Sequence, residues 1–259
     1  YEFCDKYSIS YNNCGKLIVS PNKDGIKKLK KILLNGNKNG IQNLKIITKK
    51  EVKSKEPLIN CEAALCVPSA GIVDSHGVMK KLEYLINSNN SSIVYNTTVK
   101  HISKIKNIYK LSFVDKNYYA ESEIIINASG LWADSISKKL DINDYKIHYC
   151  KGEYYQTNLF KNKINSLIYP LPTKYSLGVH LVLRLDGTVG FGPSAYYTDK
   201  IEYSITNDDK NNFLNHINTF LKLDKKDIQK DFSGIRPKLQ GPGDNDKDFI
   251  IVNEESKGY

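Results

Sequence analysis

The chain has 259 residues, 40% hydrophobic and 25% charged, and a formal net charge of +10. That is ample length for one large core or two smaller ones, and the balance excludes a disordered chain. No apolar run approaches the roughly 20 residues that a membrane-crossing helix needs, and no basic-then-apolar leader opens the sequence.

The positive charge does not read as a nucleic-acid footprint. Lysines are scattered over the whole length, and of 38 basic residues only Arg184 and Arg236 are arginine, the side chain suited to bidentate phosphate and base contacts. Five cysteines show no Cys-x-x-Cys spacing, so neither a zinc site nor a disulfide framework is expected, and a reducing intracellular compartment is. The chain opens on Tyr-Glu-Phe-Cys without an initiator methionine and is expected to be a segment of a longer protein.

In chain order, Gly15–Ser20 reads as a strand, followed by a helix capped by Asp24 with an apolar stripe of Ile26, Leu29, Ile32 and Leu33, stopped at Asn35-Gly36. Leu44–Ile47 is a second strand, and Thr48 with Glu51 has the spacing of a capping box for a short helix before Glu56-Pro57. Ala63–Val67 is apolar and turns at Pro68–Gly71. Asp74 then caps a helix whose apolar face is Val78, Leu82, Leu85 and Ile86. His76 lies in its first turn, as a surface or capping histidine or as a ligand-facing one. Ser92–Tyr95, Val99–Ile105, Tyr109–Val114 and Tyr118–Ala120 read as short strands of an antiparallel ribbon.

Ile124-Ile-Ile-Asn-Ala-Ser-Gly-Leu-Trp-Ala-Asp134 follows. Three β-branched residues predict a strand buried on both faces, the small residues and Gly130 a tight turn, and Leu131–Leu140 a helix. Such a join presents backbone N–H groups to a phosphate or a flavin ring, though ordinary strand-turn-helix joins look similar. Beyond Leu140 the chain becomes strand-rich and aromatic: Lys151–Tyr155, Ser166–Leu171 and Gly178–Leu185, with Asp186-Gly187 turning into Val189–Phe191. Gly187, Gly190 and Gly192 sit inside that hairpin and not between strand and helix, so they are not a phosphate loop. A helix is expected over Asp208–Leu223, then strands at Phe232–Leu239 and Phe249–Val252.

Taken in order, these stretches resemble the flavin-dependent oxidoreductases of the D-amino-acid oxidase type, nearest to the L-2-hydroxyglutarate dehydrogenase branch. The resemblance is carried by Cys14–Val19, Glu56-Pro57, Pro68–Ser75, Asn127–Asp134, Lys151–Tyr154, Tyr169–Pro172, Leu177–Leu181, Phe191–Pro193 and Gly234–Lys238. It implies an α/β fold with an α+β second layer: a partial FAD-binding Rossmann-like domain plus a mostly antiparallel substrate-domain sheet. Residues 1–62 and 143–233 would belong to the substrate domain, 63–142 and 234–259 to the FAD-binding domain. The family's Gly-x-Gly-x-x-Gly turn is absent from this sequence, so the chain by itself is expected to hold FAD poorly.

By the same resemblance Ala128, Ser129, Gly130 and Trp132 line the cofactor, and Val99 meets the adenine through its backbone or is plain core. Arg236, before a proline, holds a substrate carboxylate, and its planar fork is poorly replaced by lysine. Arg184, just before a hairpin turn, reads as a surface residue. His180 or His76 is the base, and Tyr154 contacts substrate or fills the core. The expected reaction is oxidation of an L-2-hydroxy acid, L-2-hydroxyglutarate foremost, with a small dicarboxylate as substrate. Oxygen or a quinone is the acceptor after flavin, and a peripheral membrane contact is compatible with the latter. The rivals are a same-fold enzyme for an amino acid or glycerol 3-phosphate, and a basic non-enzymatic binding module.

Overall fold

The computed structural model describes residues 1–172, 178–205, 210–245 and 247–253. The elements in chain order are α1 (Glu2–Tyr7), β1 (Tyr11–Asn12), β2 (Lys16–Ser20), α2 (Ile26–Lys38), β3 (Lys45–Thr48), α3 (Lys49–Lys55), β4 (Ala63–Val67), β5 (Ile72–Val73) and α4 (Ser75–Ser88). Then come β6 (Val99–Ile105), β7 (Ile108–Phe113), β8 (Tyr119–Ser122), α5 (Ala133–Lys138), β9 (His148–Thr157), β10 (Leu167–Pro170), β11 (His180–Leu183), β12 (Val189–Gly192), β13 (Tyr196–Thr198), α6 (Lys210–Ile217) and β14 (Gln229–Lys238). The chain divides into two compact units: residues 1–88, 152–195 and 203–234 form the first, and residues 89–151, 196–202 and 235–259 the second.

The first unit is built on a mixed sheet of order β9-β12-β11-β10-β2-β4-β3, in which only β10 and β2 run parallel. Alternation gives the sheet two faces. One carries Leu17, Ile168, Leu181, Phe191 and Tyr155 into a core closed by Phe213 and Ile217 of α6, with the Tyr155 and Phe213 rings 4.6 Å apart. On the other face, Leu29 of α2 packs with Leu65 and Val67 of β4, and Ile18, Ile26, Ile32 and Leu33 join it. The lysines between those stripe residues leave α2 only one face to bury.

Local signals account for several joins. Thr48 and Glu51 form the capping box: the Thr48 N–H donates to the Glu51 carboxylate (2.7 Å) and Thr48 Oγ1 accepts from the Glu51 N–H (3.4 Å). Asp186 Oδ1 accepts from the Thr188 N–H (2.9 Å) and closes the β11–β12 hairpin. Asp74 accepts from the Gly77 N–H (3.0 Å) at the start of α4. The second unit contains the antiparallel ribbon β6-β7-β8, the α5 segment, and β13 paired with residues 149–151 of β9.

Other expectations are corrected. The cap of α2 is Gly25, whose N–H is taken by the Asn22 side chain (3.1 Å), and not Asp24. The helix runs through a buried Gly36 to Lys38, since Gly36 packs where a Cβ would strike the Leu44 side chain. Ile124–Ile126 form no strand, and Ile124 and Ile126 are 73% and 85% exposed. Ser92–Tyr95 and Phe249–Val252 likewise form no strand. Each is a β-prone run that joins no sheet among the described residues, and propensity alone does not hold a strand. The helix α4 forms, but none of its side chains is buried. The expected start of α6, Asp208, lies outside the described residues.

Glu56 ties the short helix to the sheet. It is 1% exposed, and its carboxylate oxygens accept from the Asn165 N–H at 3.1 and 3.2 Å and from Ser166, just before β10. Burial raises its pKa above the ordinary carboxylate range despite those donors. A raised folded pKa means its contribution is full below the unfolded value and is lost as pH rises through the folded one. Denaturant titration should therefore show the wild type losing stability relative to Glu56→Gln as pH rises from about 4 to 7. Glu56→Ala, which strands its donors at Asn165 and Ser166, should cost about 1–3 kcal/mol.

Candidate active site

The sheet's second face, beyond the area covered by α2, carries a row of side chains contributed by neighbouring strands of the first unit. Register places them: Tyr169 of β10 lies opposite Ile18 of β2, two residues from Lys16, and His180 of β11 lies opposite Gly192 of β12. Because Phe191 pairs with Tyr155, Tyr154 of β9 falls on the same face as Gly192. The row thus reads Tyr154, Gly192, His180, Tyr169, Lys16, while the intervening residues face the core.

His180 is buried and stacks on Tyr169, with ring centroids 3.9 Å apart and planes 17° from parallel. Its Nδ1 lies 3.1 Å from the Gly178 carbonyl. For that contact to be a hydrogen bond Nδ1 must donate, which makes Nε2 the basic nitrogen of the neutral ring. Gly178 is in the left-handed region (φ +76°), and a Cβ there would meet Pro170 at 2.8 Å. The glycine therefore sets the carbonyl that orients the imidazole.

Tyr154 stacks on Phe232 at 4.5 Å. Gly192 (φ +145°) lets it lie flat across β12, because a Cβ there would come within 2.7 Å of the Tyr154 ring and 2.9 Å of the Glu153 carbonyl. Burial and the neighbouring Tyr154 push the Tyr169 phenol above its usual range. Lys16 Nζ sits 4.9 Å from the centre of the Tyr169 ring, and burial lowers its pKa. Lys16 forms no salt bridge among the described residues.

Two alternations further on, just past the end of β11, Arg184 is partly exposed and ion-paired, in keeping with the surface reading. It pairs with Asp231 and donates to Gln156 Oε1 at 2.9 Å, because the same alternation that turns His180 out of the core turns Arg184 the same way. Its charge is compensated.

The remaining sequence-derived candidates fall as follows. His76 is exposed on the first turn of α4, in the first unit. Arg236 is exposed on β14, in the second unit, with no salt-bridge partner among the described residues. Also in the second unit, Val99 is half-buried on the edge strand β6, opposite Phe113. Asn127 organises the turn after Ile126. Its side chain donates to the Ala133 carbonyl (2.8 Å) and Ser137 Oγ (3.0 Å), and its Oδ1 accepts from the Ser129 N–H (3.3 Å). Ala128, Ser129 and Gly130 follow. Gly130 has φ +57° with nothing within 4 Å of a Cβ, and Trp132 is 55% exposed at the end of a 3₁₀ turn. Leu177 lies outside the described residues.

Sequence reasoning missed Lys16, Tyr169 and Gly192. The available signal was a lysine leading an otherwise apolar strand, whose chemical neighbours come from 150 and more positions away. Gly192→Ala should cost about 1–3 kcal/mol, since both the backbone region and the Tyr154 contact are violated. Thermal denaturation with tyrosine fluorescence would show lowered stability and a changed Tyr154 environment.

The family model described as FAD dependent oxidoreductase matches residues 1–259. The chain is 29% identical to the mitochondrial L-2-hydroxyglutarate dehydrogenase of Arabidopsis thaliana, over all of this chain and 63% of the relative. It is 32% identical to the L-2-hydroxyglutarate dehydrogenase of Escherichia coli K12, over 77% of this chain and 48% of the relative. The chain thus spans 48–63% of the length of these relatives. Among solved structures it is similar to an FAD-bound L-alpha-glycerophosphate oxidase from Mycoplasma pneumoniae, with a TM-score of 0.79 and 23% identity over 86% of this chain and 61% of that one. L-proline dehydrogenase from P. horikoshii gives a TM-score of 0.76 at 19% identity, over 92% and 64% of the two chains. At these identities the structural likeness speaks for the fold, a mixed α/β architecture with antiparallel sheets.

Proposed function

For a chain that belongs to the FAD dependent oxidoreductase family, we propose oxidation of an L-2-hydroxy acid, L-2-hydroxyglutarate foremost, as the activity it serves. The single observation that carries the catalytic part is the buried His180 with its Nδ1 3.1 Å from the Gly178 carbonyl, a contact that, with Nδ1 as donor, puts the basic nitrogen at Nε2.

FAD suits the Asn127–Trp132 turn. The Gly130 backbone is open to close approach, an exposed indole stands beside it, and exposed Ile124 and Ile126 precede it. Ala128, Ser129, Gly130 and Trp132 are the residues assigned to hold it, and Val99 is assigned to the adenine because an edge strand leaves one side of its backbone without a strand partner. When bound, FAD supplies the two-electron acceptor.

In this reading His180 accepts the substrate hydroxyl proton at Nε2 while the α-hydrogen leaves with its electron pair. Tyr169, stacked on the imidazole, limits its rotation, and Tyr154 lines the same face. His76, exposed on α4, is the less suited base because nothing among the described contacts fixes its ring. Arg236 is assigned a substrate carboxylate on the chemistry of its guanidinium fork. The five free cysteines accord with a reducing setting. Among the described residues no helix is long and apolar enough to cross a membrane.

An absorbance spectrum of the full-length flavin-loaded protein, recorded anaerobically before and after L-2-hydroxyglutarate, tests this. Bleaching is the expected result, and His180→Asn should slow it by roughly 10²–10⁴-fold with loss of the acid limb of the pH profile. Bleaching by an amino acid or glycerol 3-phosphate, and not by the hydroxydiacid, would overturn the substrate. Unchanged kinetics in His180→Asn would overturn the base.

A further inference from the structure

The outer sheet face holds two strong cations in different circumstances. Arg184 is neutralised by Asp231. Lys16, at the end of the row, is half-buried over an aromatic ring, and no carboxylate among the described residues pairs with it. Placing an ammonium where water is partly excluded costs free energy that a ring face offsets only in part. A full offset needs an anion, and no carboxylate of the described residues forms an ion pair with Lys16.

Position narrows which anion. Lys16 and His180 come from the two strands that flank β10, and Tyr169 of β10 is in contact with both: its ring lies 4.9 Å from the ammonium and 3.9 Å from the imidazole. A ligand whose hydroxyl sits at His180 therefore reaches Lys16 only across a tyrosine ring. That suits a negative group several bonds from the hydroxyl-bearing carbon and not a carboxylate directly attached to it.

We infer that Lys16 binds the distal carboxylate of a 2-hydroxy diacid, across the Tyr169 ring from His180, and so selects diacids over monoacids. The inference rests on the reading of His180 as the base that meets the substrate hydroxyl. A lysine suits this end of the molecule: a single ammonium on a flexible stem tolerates some variation in chain length, whereas a guanidinium fork fixes orientation. The lowered pKa that burial gives the ammonium agrees with a site that gains by receiving an anion.

The test uses the flavin-loaded protein and two non-oxidisable probes, glutarate and butyrate, with binding read by calorimetry and by the NMR signals of the Tyr169 and His180 rings. Wild type should bind glutarate at least about tenfold more tightly than butyrate and show both ring signals shifting. Lys16→Met should bring the glutarate-to-butyrate ratio close to one, and Lys16→Arg should restore part of it. Circular dichroism and thermal melting check that the variants fold, and Lys16→Met should melt no lower than wild type because it removes an uncompensated charge.

A ratio that survives in Lys16→Met, or an equal loss for both acids, overturns the inference and leaves His180 and the hydroxy-acid activity standing if L-2-hydroxyglutarate still bleaches the flavin. Failure of wild type to bind either acid or to be reduced by the hydroxydiacid overturns both readings together.

Discussion

The site on the first unit depends on strand register. In β2, β10, β11, β12 and β9, residues that fill the core alternate with residues that turn the other way: Leu17 with Lys16, Ile168 with Tyr169, Leu181 with His180, Phe191 with Gly192, and Tyr155 with Tyr154. Because side-chain direction has a period of two, a one-residue slip in any of these strands would drive a histidine, a lysine or a tyrosine into the core and expose a large apolar side chain. The burial of Phe191, Tyr155 and Leu181 in the core that α6 closes therefore fixes the outer row as a consequence of packing. No contact within the row needs to do that work.

Electrostatics then distinguishes the groups that packing has placed. Arg184 and Lys16 both leave the core side of the sheet, yet one meets an aspartate and a glutamine while the other meets a tyrosine ring. A charge that is paired serves the fold, and a half-buried charge without a counter-ion holds the fold in a state that an anionic ligand improves. The stacked Tyr169 and His180 stand beside Lys16 in the row, and the Gly178 carbonyl lies within hydrogen-bond distance of the imidazole Nδ1. Glu56 plays a third part, a buried carboxylate spent on the backbone just before β10.

The second unit follows a different constraint. Its ribbon is locally paired, β6 with β7 and β7 with β8, so it forms from neighbours in sequence. Ile124–Ile126 and Phe249–Val252 have no such neighbour. Three isoleucines in a row have strong β-propensity, but a strand is stabilised by cross-strand pairs, and without one the side chains stand exposed. The turn that follows is nevertheless well formed, because Asn127 supplies its hydrogen bonds locally.

Features whose partners lie within a few residues were legible in the amino-acid sequence. The capping box at Thr48 and Glu51, the hairpin at Asp186-Gly187, the amphipathic α2, the ribbon and the glycine turn at Gly130 all depend on short-range geometry, and the ordered motifs pointed to the flavoenzyme family. The order of strands in the large sheet was not legible. Neither was the meeting of Lys16, Tyr169, His180, Gly192 and Tyr154, since these come from five separate strands whose adjacency is set by long-range pairing. The same holds for Arg184, a surface residue by local pattern and an ion-pair partner by tertiary position. Local chemistry names the groups, and the burial of the sheet's inner face decides which of them meet.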